Sequence, residues 1–192
     1  MEYTIQSMLS FIREKREASS DFPFIIAIDG RCASGKTTAA QRLSEVLSAP
    51  VVHMDDFFLR PHQRTSDRLA TPGENIDHER FLEEVILPLK QGRNCVYAPF
   101  SCATQKLLPA VELIHSGIVI VEGSYAHHTN LRPYYSLCFF LTVSPETQLA
   151  RIKKRNGETM AQVFKDKWIP LEEAYFSTFS VAEKAYRIFS PN

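Results

Sequence analysis

Residues 28–47 read IDGRCASGKTTAAQRLSEVL. Gly30 and Gly35 bracket a short loop, and Lys36 and Thr37 follow the second glycine at once. Glycines let the backbone turn tightly enough for successive N–H groups to point inward. That concavity suits an anion, and a helix opening near Lys36 adds the positive end of its dipole. Lysine supplies one cation and threonine one hydroxyl suited to a divalent ion. The chemistry that fits these types at this spacing is the holding of a phosphate chain.

The spacing is that of a P-loop, and its context is right: an apolar run stands before it and a helical pattern after it. Gly30, Arg31, Cys32, Ala33, Ser34, Gly35, Lys36, Thr37 and Thr38 form the expected phosphate cradle. A nucleotide's triphosphate with Mg2+ is the expected occupant, Lys36 reaching the β- and γ-phosphates and Thr37 the metal. The chain has no guanine-reading N-K-x-D and no L-S-G-G-Q-like signature.

Further acids stand where strands should end. Asp55 and Asp56 close PVVHMDD, and Glu122 closes GIVIVEG at 117–123. Ligands of an open α/β sheet bind at the carboxyl ends of its strands. Asp55 there can take the proton of an attacking hydroxyl or ligate Mg2+. Glu122 is expected on the metal side, with Thr37.

These residues need elements to hold them. Ile5, Met8, Leu9 and Ile12 keep helical spacing, which predicts an amphipathic helix within residues 1–20 packed on the main body. Apolar runs at 22–29, 117–123 and 137–143 predict strands buried on both faces. Shorter strands are expected at 50–55, 95–98 and 186–189, and helices at 36–47, 78–90 and 145–155. Met160, Phe164, Trp168, Leu171, Tyr175 and Phe179 keep helical spacing, read first as core packing, with Pro170 kinking or splitting the segment. The polar stretch 59–77 reads as a functional loop or lid. Strands alternate with helices throughout. The expected fold is α/β: a three-layer P-loop NTPase arrangement, a mostly parallel sheet flanked by helices, in one domain over 1–192.

Composition narrows the class. The chain has 192 residues, 44% hydrophobic and 23% charged, as ordinary globular domains are. Lys+Arg and Asp+Glu both number 22, so no basic field recommends nucleic acid or an anionic membrane. The four cysteines form no C-x-x-C pair, and with no apolar leader or membrane-length run a cytoplasmic chain is expected. Homo-oligomerisation stays open.

Four pieces in order, DGRCASGKTT, MDDFF, NIDHERF (75–81) and VIVEG (119–123), resemble the uridine kinase and phosphoribulokinase-like P-loop kinases. MDDFFLRP is similar to the nicotinamide riboside kinase form of its motif. The resemblance implies transfer of the ATP γ-phosphoryl group to a hydroxyl of a small molecule, often a nucleoside. It implies Asp55 as the proton acceptor, Asp77 as a holder of ribose hydroxyls, Glu122 as the metal-side acid, and Arg151 and Arg155 on a basic lid helix. His78, Tyr97 and Phe100 are weaker candidates for acceptor contact. The family's Tyr-Asp-Phe segment with following His and Arg corresponds here to YAPFSCATQK (97–106), which has neither. The family's Arg-Asp and Arg-Gly lid pattern stands here as RNGE (155–158). Uridine or cytidine is the first expected acceptor, then nicotinamide riboside, with pantothenate or a sugar phosphate next. Arg60, Arg64 and Arg68 would suit a phosphorylated acceptor. A nucleotide-binding regulatory protein without transfer is the rival reading, and it would not need Asp55.

His127 and His128 suggest a metal pair, but no third ligand stands at a sensible sequence spacing. They read as exposed loop residues. His53 reads as packed or near the site.

Overall fold

The computed structural model describes residues 2–191. The apolar run after Pro23 becomes strand β1 (Phe24–Gly30), buried at every residue. Helix α1 (Glu2–Glu17) precedes it, α2 (Lys36–Leu47) follows, and β2 (Val51–His53) comes next. A 3-10 turn over Met54–Phe57 carries the paired aspartates. The stretch expected as a loop contains a short helix, α3 (Ser66–Ala70), and a lone antiparallel bridge between Phe58 and Ile76.

The helix expected at 78–90 is present with a widened middle. It runs through α4 (His78–Phe81), a π turn at Leu82–Ile86, and α5 (Leu87–Lys90). Four short strands follow: β3 (Cys95–Tyr97), β4 (Phe100–Ser101), β5 (Lys106–Leu107) and β6 (Val111–Leu113). They pair antiparallel as β3–β6 and β4–β5. Then come β7 (Ile118–Glu122), β8 (Leu137–Leu141), α6 (Pro145–Val163), α7 (Ile169–Phe179), α8 (Val181–Lys184) and β9 (Arg187–Phe189).

The main sheet has the order β2–β7–β1–β8–β9, and every neighbouring pair is parallel. Alternate side chains enter different cores, as a strand's two-residue period demands. Ile25, Val119, Val121 and Phe140 meet Phe81, Val85, Ile86 and Leu89 on one face. Phe24, Ile26, Ile28, Ile118 and Ile120 meet Ile5, Met8, Leu9 and Ile12 of α1 and Leu43 of α2 on the other. The result is three layers. Truncating a fully buried member such as Ile26 to alanine would cost about 2–5 kcal/mol.

Helix α6 is broken at Gly157, where φ is 81° and ψ 169°. Only glycine adopts that backbone readily. Pro170 does not split the helix. A π turn over Phe164–Trp168 leads directly into α7, whose first turn holds the proline without needing its missing N–H. Among the described residues no helix is long and apolar enough to cross a membrane. All four cysteines are free.

Candidate active site

The parallel register gathers the strand ends. Glu122 of β7 is paired with Ile28 of β1 and with His53 of β2, and Gly30 of β1 with Leu141 of β8. Gly30 has φ 136°, and a Cβ there would sit 1.9 Å from the Leu141 carbonyl oxygen. Only glycine lets the loop leave the sheet at this point. The Asp29 carboxylate, fully buried, secures the exit: it accepts the Gly30 N–H at 2.6 Å, and the His127 N–H and Tyr175 hydroxyl at 2.9 Å each.

The loop then delivers α2. Gly35 is its N-cap, and no side chain caps the helix N-terminus. Lys36 is buried, and its Nζ donates to the carbonyls of Gly30 at 2.6 Å and Arg31 at 3.0 Å. The cation thus lies across the loop it would serve. The Ser34 hydroxyl is buried without a hydrogen-bond partner. A bare helix N-terminus, an inward lysine and an orphaned hydroxyl are the donor set a polyphosphate needs, so ATP fits these residues.

The metal-side pair also forms. Thr37 Oγ1 lies 3.3 Å from both carboxylate oxygens of Glu122. His53 Nδ1 lies 2.6 Å from Glu122 Oε1, and that contact pulls the imidazole above its ordinary range. A hydroxyl beside a buried carboxylate is a hard-oxygen set suited to Mg2+.

Lys36, Thr37 and Glu122 line one cavity of about 1180 Å³. A single small-molecule site rarely exceeds about 1,000 Å³, so there is room for two ligands. Loop residues Cys32, Ala33, Gly35, Lys36, Thr37 and Thr38 form one wall. Asp55 opens into the same space. Its carboxylate is exposed to the cavity yet walled in by protein, and this burial, followed by the Glu122 charge, holds it above the usual carboxylate range. Arg151 and Arg155 line the cavity too, and Arg151 Nη1 donates to the Ala33 carbonyl at 3.2 Å.

Several expected residues are engaged elsewhere. Asp77 caps α4 by accepting the Arg80 N–H at 3.2 Å and pairs with Arg60 at 3.3 Å; it does not line the cavity. Nor do His78, Tyr97 and Phe100. The Tyr97 hydroxyl donates to Asp56 at 3.3 Å, and its ring packs on Phe57. Phe100 is buried beneath Arg64. The Arg31 side chain turns away to a two-pronged ion pair with Glu173, so only its backbone belongs to the cradle. Of the three loop arginines, Arg64 alone lines the cavity; Arg68 is held by Glu74 and Glu79.

Other residues arrive unannounced by any motif. Met160, Phe164, Trp168 and Leu171 line the cavity, Phe164 also packing on the small cluster of Cys32, Ile152 and Ala161, while Tyr175 is buried as expected. Phe58, Leu69, Asn75, Gln105, Ser124 and Tyr125 join them. Glu172 is buried beside the loop, its oxygens accepting the Cys32 N–H at 2.9 Å and the Ser124 hydroxyl at 2.5 Å. Helical spacing marked the aromatics, but it does not say which face looks at a ligand.

The chain is similar to several known proteins. The chain is 27% identical to uridine kinase-like protein 4 of Arabidopsis thaliana, over 92% of this chain and 40% of that protein. It is 29% identical to a pantothenate kinase of Psychromonas ingrahamii, over 93% and 60%. A solved structure described as a possible uridine kinase from Bacillus stearothermophilus superposes with a TM-score of 0.68 at 20% identity, over 98% of this chain and 100% of that one.

The fold is that of the P-loop kinases, and the sequence resembles their uridine kinase-like members. No protein-family model matches the chain. The P-loop kinase fold explains why the cradle, Asp55 and Glu122 meet at the carboxyl ends of β1, β2 and β7. The chain spans less than two thirds of the length of the two curated relatives named.

Proposed function

We propose that this chain is an ATP- and Mg2+-dependent kinase that transfers the γ-phosphoryl group to a hydroxyl of a small acceptor, first a nucleoside of the uridine or cytidine kind. The observation that carries the reading is Asp55 opening into the same cavity as the P-loop, its carboxyl raised above the usual range by burial and then by the Glu122 charge. A base tuned upward is better matched to taking a hydroxyl proton near neutral pH.

The residues divide the work. The loop N–H groups and Lys36 bind the phosphates, Lys36 exchanging its carbonyl partners for them. Thr37 and Glu122, with Asp55, would hold Mg2+, which supplies charge neutralisation on the phosphate oxygens when bound. Asp55 accepts the acceptor's proton. Arg151 and Arg155 close over charge that develops during transfer. The wall of Phe164, Trp168 and Leu171 excludes water, and Asn75 and Gln105 offer amide groups that suit the edge of a base.

A second reading has its own support. Arg64 lines the cavity and would draw a carboxylate, and one relative is named a pantothenate kinase. The two readings separate in one experiment. Pure protein is incubated with Mg-ATP and, in turn, nucleosides, pantothenate and sugar phosphates, and ADP and product mass are followed. One nucleoside gaining a single phosphate supports the first reading. Pantothenate as the sole acceptor, with transfer lost in Arg64→Gln, replaces it with the second. No acceptor-dependent ADP from any of them overturns both.

A further inference from the structure

His128 is not the exposed loop residue its setting suggests. It and His127 are each 2% exposed. His127 is used by the fold, its ring nitrogen 3.3 Å from the Ala27 carbonyl oxygen. His128 faces outward from the sheet end onto His78. The two rings stack with centroids 4.1 Å apart and planes 15° from parallel. The third partner that sequence spacing did not offer comes from the segment leading into α4. Glu74 Oε1 is 3.1 Å from His78 Nε2 and 3.5 Å from His128 Nε2.

We propose that Glu74, His78 and His128 form a binding site for a transition-metal dication of the zinc class. One ligand atom from each lies within 4.8 Å of the other two. Ligation at about 2.0–2.1 Å draws these atoms together and turns the two stacked rings so that each aims its in-plane lone pair at the ion. Two imidazoles and one carboxylate are the donor set of zinc rather than of magnesium or calcium, which take oxygen ligands. Arg68 Nε sits 3.4 Å from the other Glu74 oxygen. That contact anchors the carboxylate, whose two oxygens both face His78 Nε2, at 3.1 and 3.2 Å. Glu79 Oε1, 3.6 Å from His78 Nε2, is the nearest group for a fourth position. Ligation through His128 Nε2 puts the ring proton on Nδ1, so the weak 3.3 Å contact from the Asn130 N–H is given up.

The site is separate from the phosphate cradle and does not depend on the kinase reading. Its members belong to the two segments that also bring Asn75, Ser124 and Tyr125 to the cavity. Gly73 shows how closely these segments approach: a Cβ there would meet the His128 ring at 3.3 Å. A bound ion would therefore fasten one side of the cavity.

The test uses the full chain, freed of metal by chelation and titrated with Co2+. One equivalent should develop the intense visible bands of four- or five-coordinate cobalt with nitrogen ligands. Zn2+ should bleach them, and Mg2+ should leave them unchanged. His128→Gln and Glu74→Gln should each abolish the bands while keeping the circular dichroism of the metal-free chain. Glu122→Gln, at the cradle, should keep the bands. Only the weak spectrum of six-coordinate cobalt in the native chain, or bands that persist in both His128→Gln and Glu74→Gln, would overturn the proposal.

Discussion

The carboxylate of Glu172 accepts the backbone N–H of Cys32 at 2.9 Å, which ties the last long helix to the phosphate loop. Its other oxygen accepts the Ser124 hydroxyl at 2.5 Å, and its neighbour Glu173 pairs with Arg31. Burial pushes the Glu172 carboxyl above the ordinary range, while nearby Lys36 and these hydrogen bonds act against that shift. Through the π turn, α7 continues the segment that carries Phe164 and Trp168. The apolar wall and the phosphate loop are therefore joined at two adjacent residues. Glu172→Ala leaves the buried Cys32 N–H without its acceptor and frees the half-buried Ser124 hydroxyl, and should cost about 1–3 kcal/mol. Glu173→Ala removes a partly exposed ion pair and should cost about 0–1 kcal/mol. Urea unfolding of both variants checks the order; a larger loss at Glu173 would contradict it.

Asp55→Asn separates binding from transfer. The cradle is untouched, so ATP affinity should stay within a few fold. Loss of a positioned base should lower transfer by roughly 10²- to 10⁴-fold. Calorimetric ATP binding alongside an ADP-release assay reads both quantities. Full transfer in the variant would remove Asp55 from the role.

The pH profile follows from the same carboxylate. Asp55 works ionised, and its pKa is raised, first by burial and then by Glu122. Activity should accordingly fall on acidification at a pH above the ordinary carboxylate pKa of about 3.9. Glu122→Gln removes the larger charge contribution, so the acid limb should move to lower pH even as the maximal rate drops. The change also deprives His53 of the contact that raises its pKa, and His53 lowers the Asp55 pKa. That contribution ranks below Glu122, so the net direction stands. Rate against pH in both proteins is the measurement, and a limb that moves upward would refute the assignment.

The layered fold was legible because its signals are local. The stretches FIIAI and IVIV are continuous apolar runs, as strands covered on both faces are, and each leads into an acid, Asp29 or Glu122. The cradle was legible because glycine spacing encodes backbone shape directly. Of the ribbons at 95–113 the first strand was legible and β4, β5 and β6 were hidden: strands of two or three residues, more than half of their residues exposed, leave no period to read. The partners of Asp77 were not legible for another reason. Its motif fixes a position in the chain, but Arg60 and Arg80, which claim its carboxylate, are brought there by tertiary packing. Glu172 and the Glu74–His78–His128 cluster were invisible for the same reason, since their partners lie far away in sequence.

Trp168 offers a direct view of ligand entry. It is the chain's only tryptophan, it lines the cavity, and Lys167 Nζ stands 4.7 Å from its ring centre. Any ligand that packs on the ring or shifts that cation changes its surroundings. Intrinsic fluorescence should therefore change saturably with ATP or with the acceptor. Trp168→Phe should abolish the signal and keep activity within a few fold, because the aromatic surface persists. Trp168→Ala should raise the acceptor KM, since stacking on an aromatic is worth about 1–3 kcal/mol per base and each 1.4 kcal/mol is about tenfold. A KM rise with kcat preserved points to acceptor binding on this wall. An unchanged acceptor KM with a raised KM for ATP would instead assign the wall to the adenine.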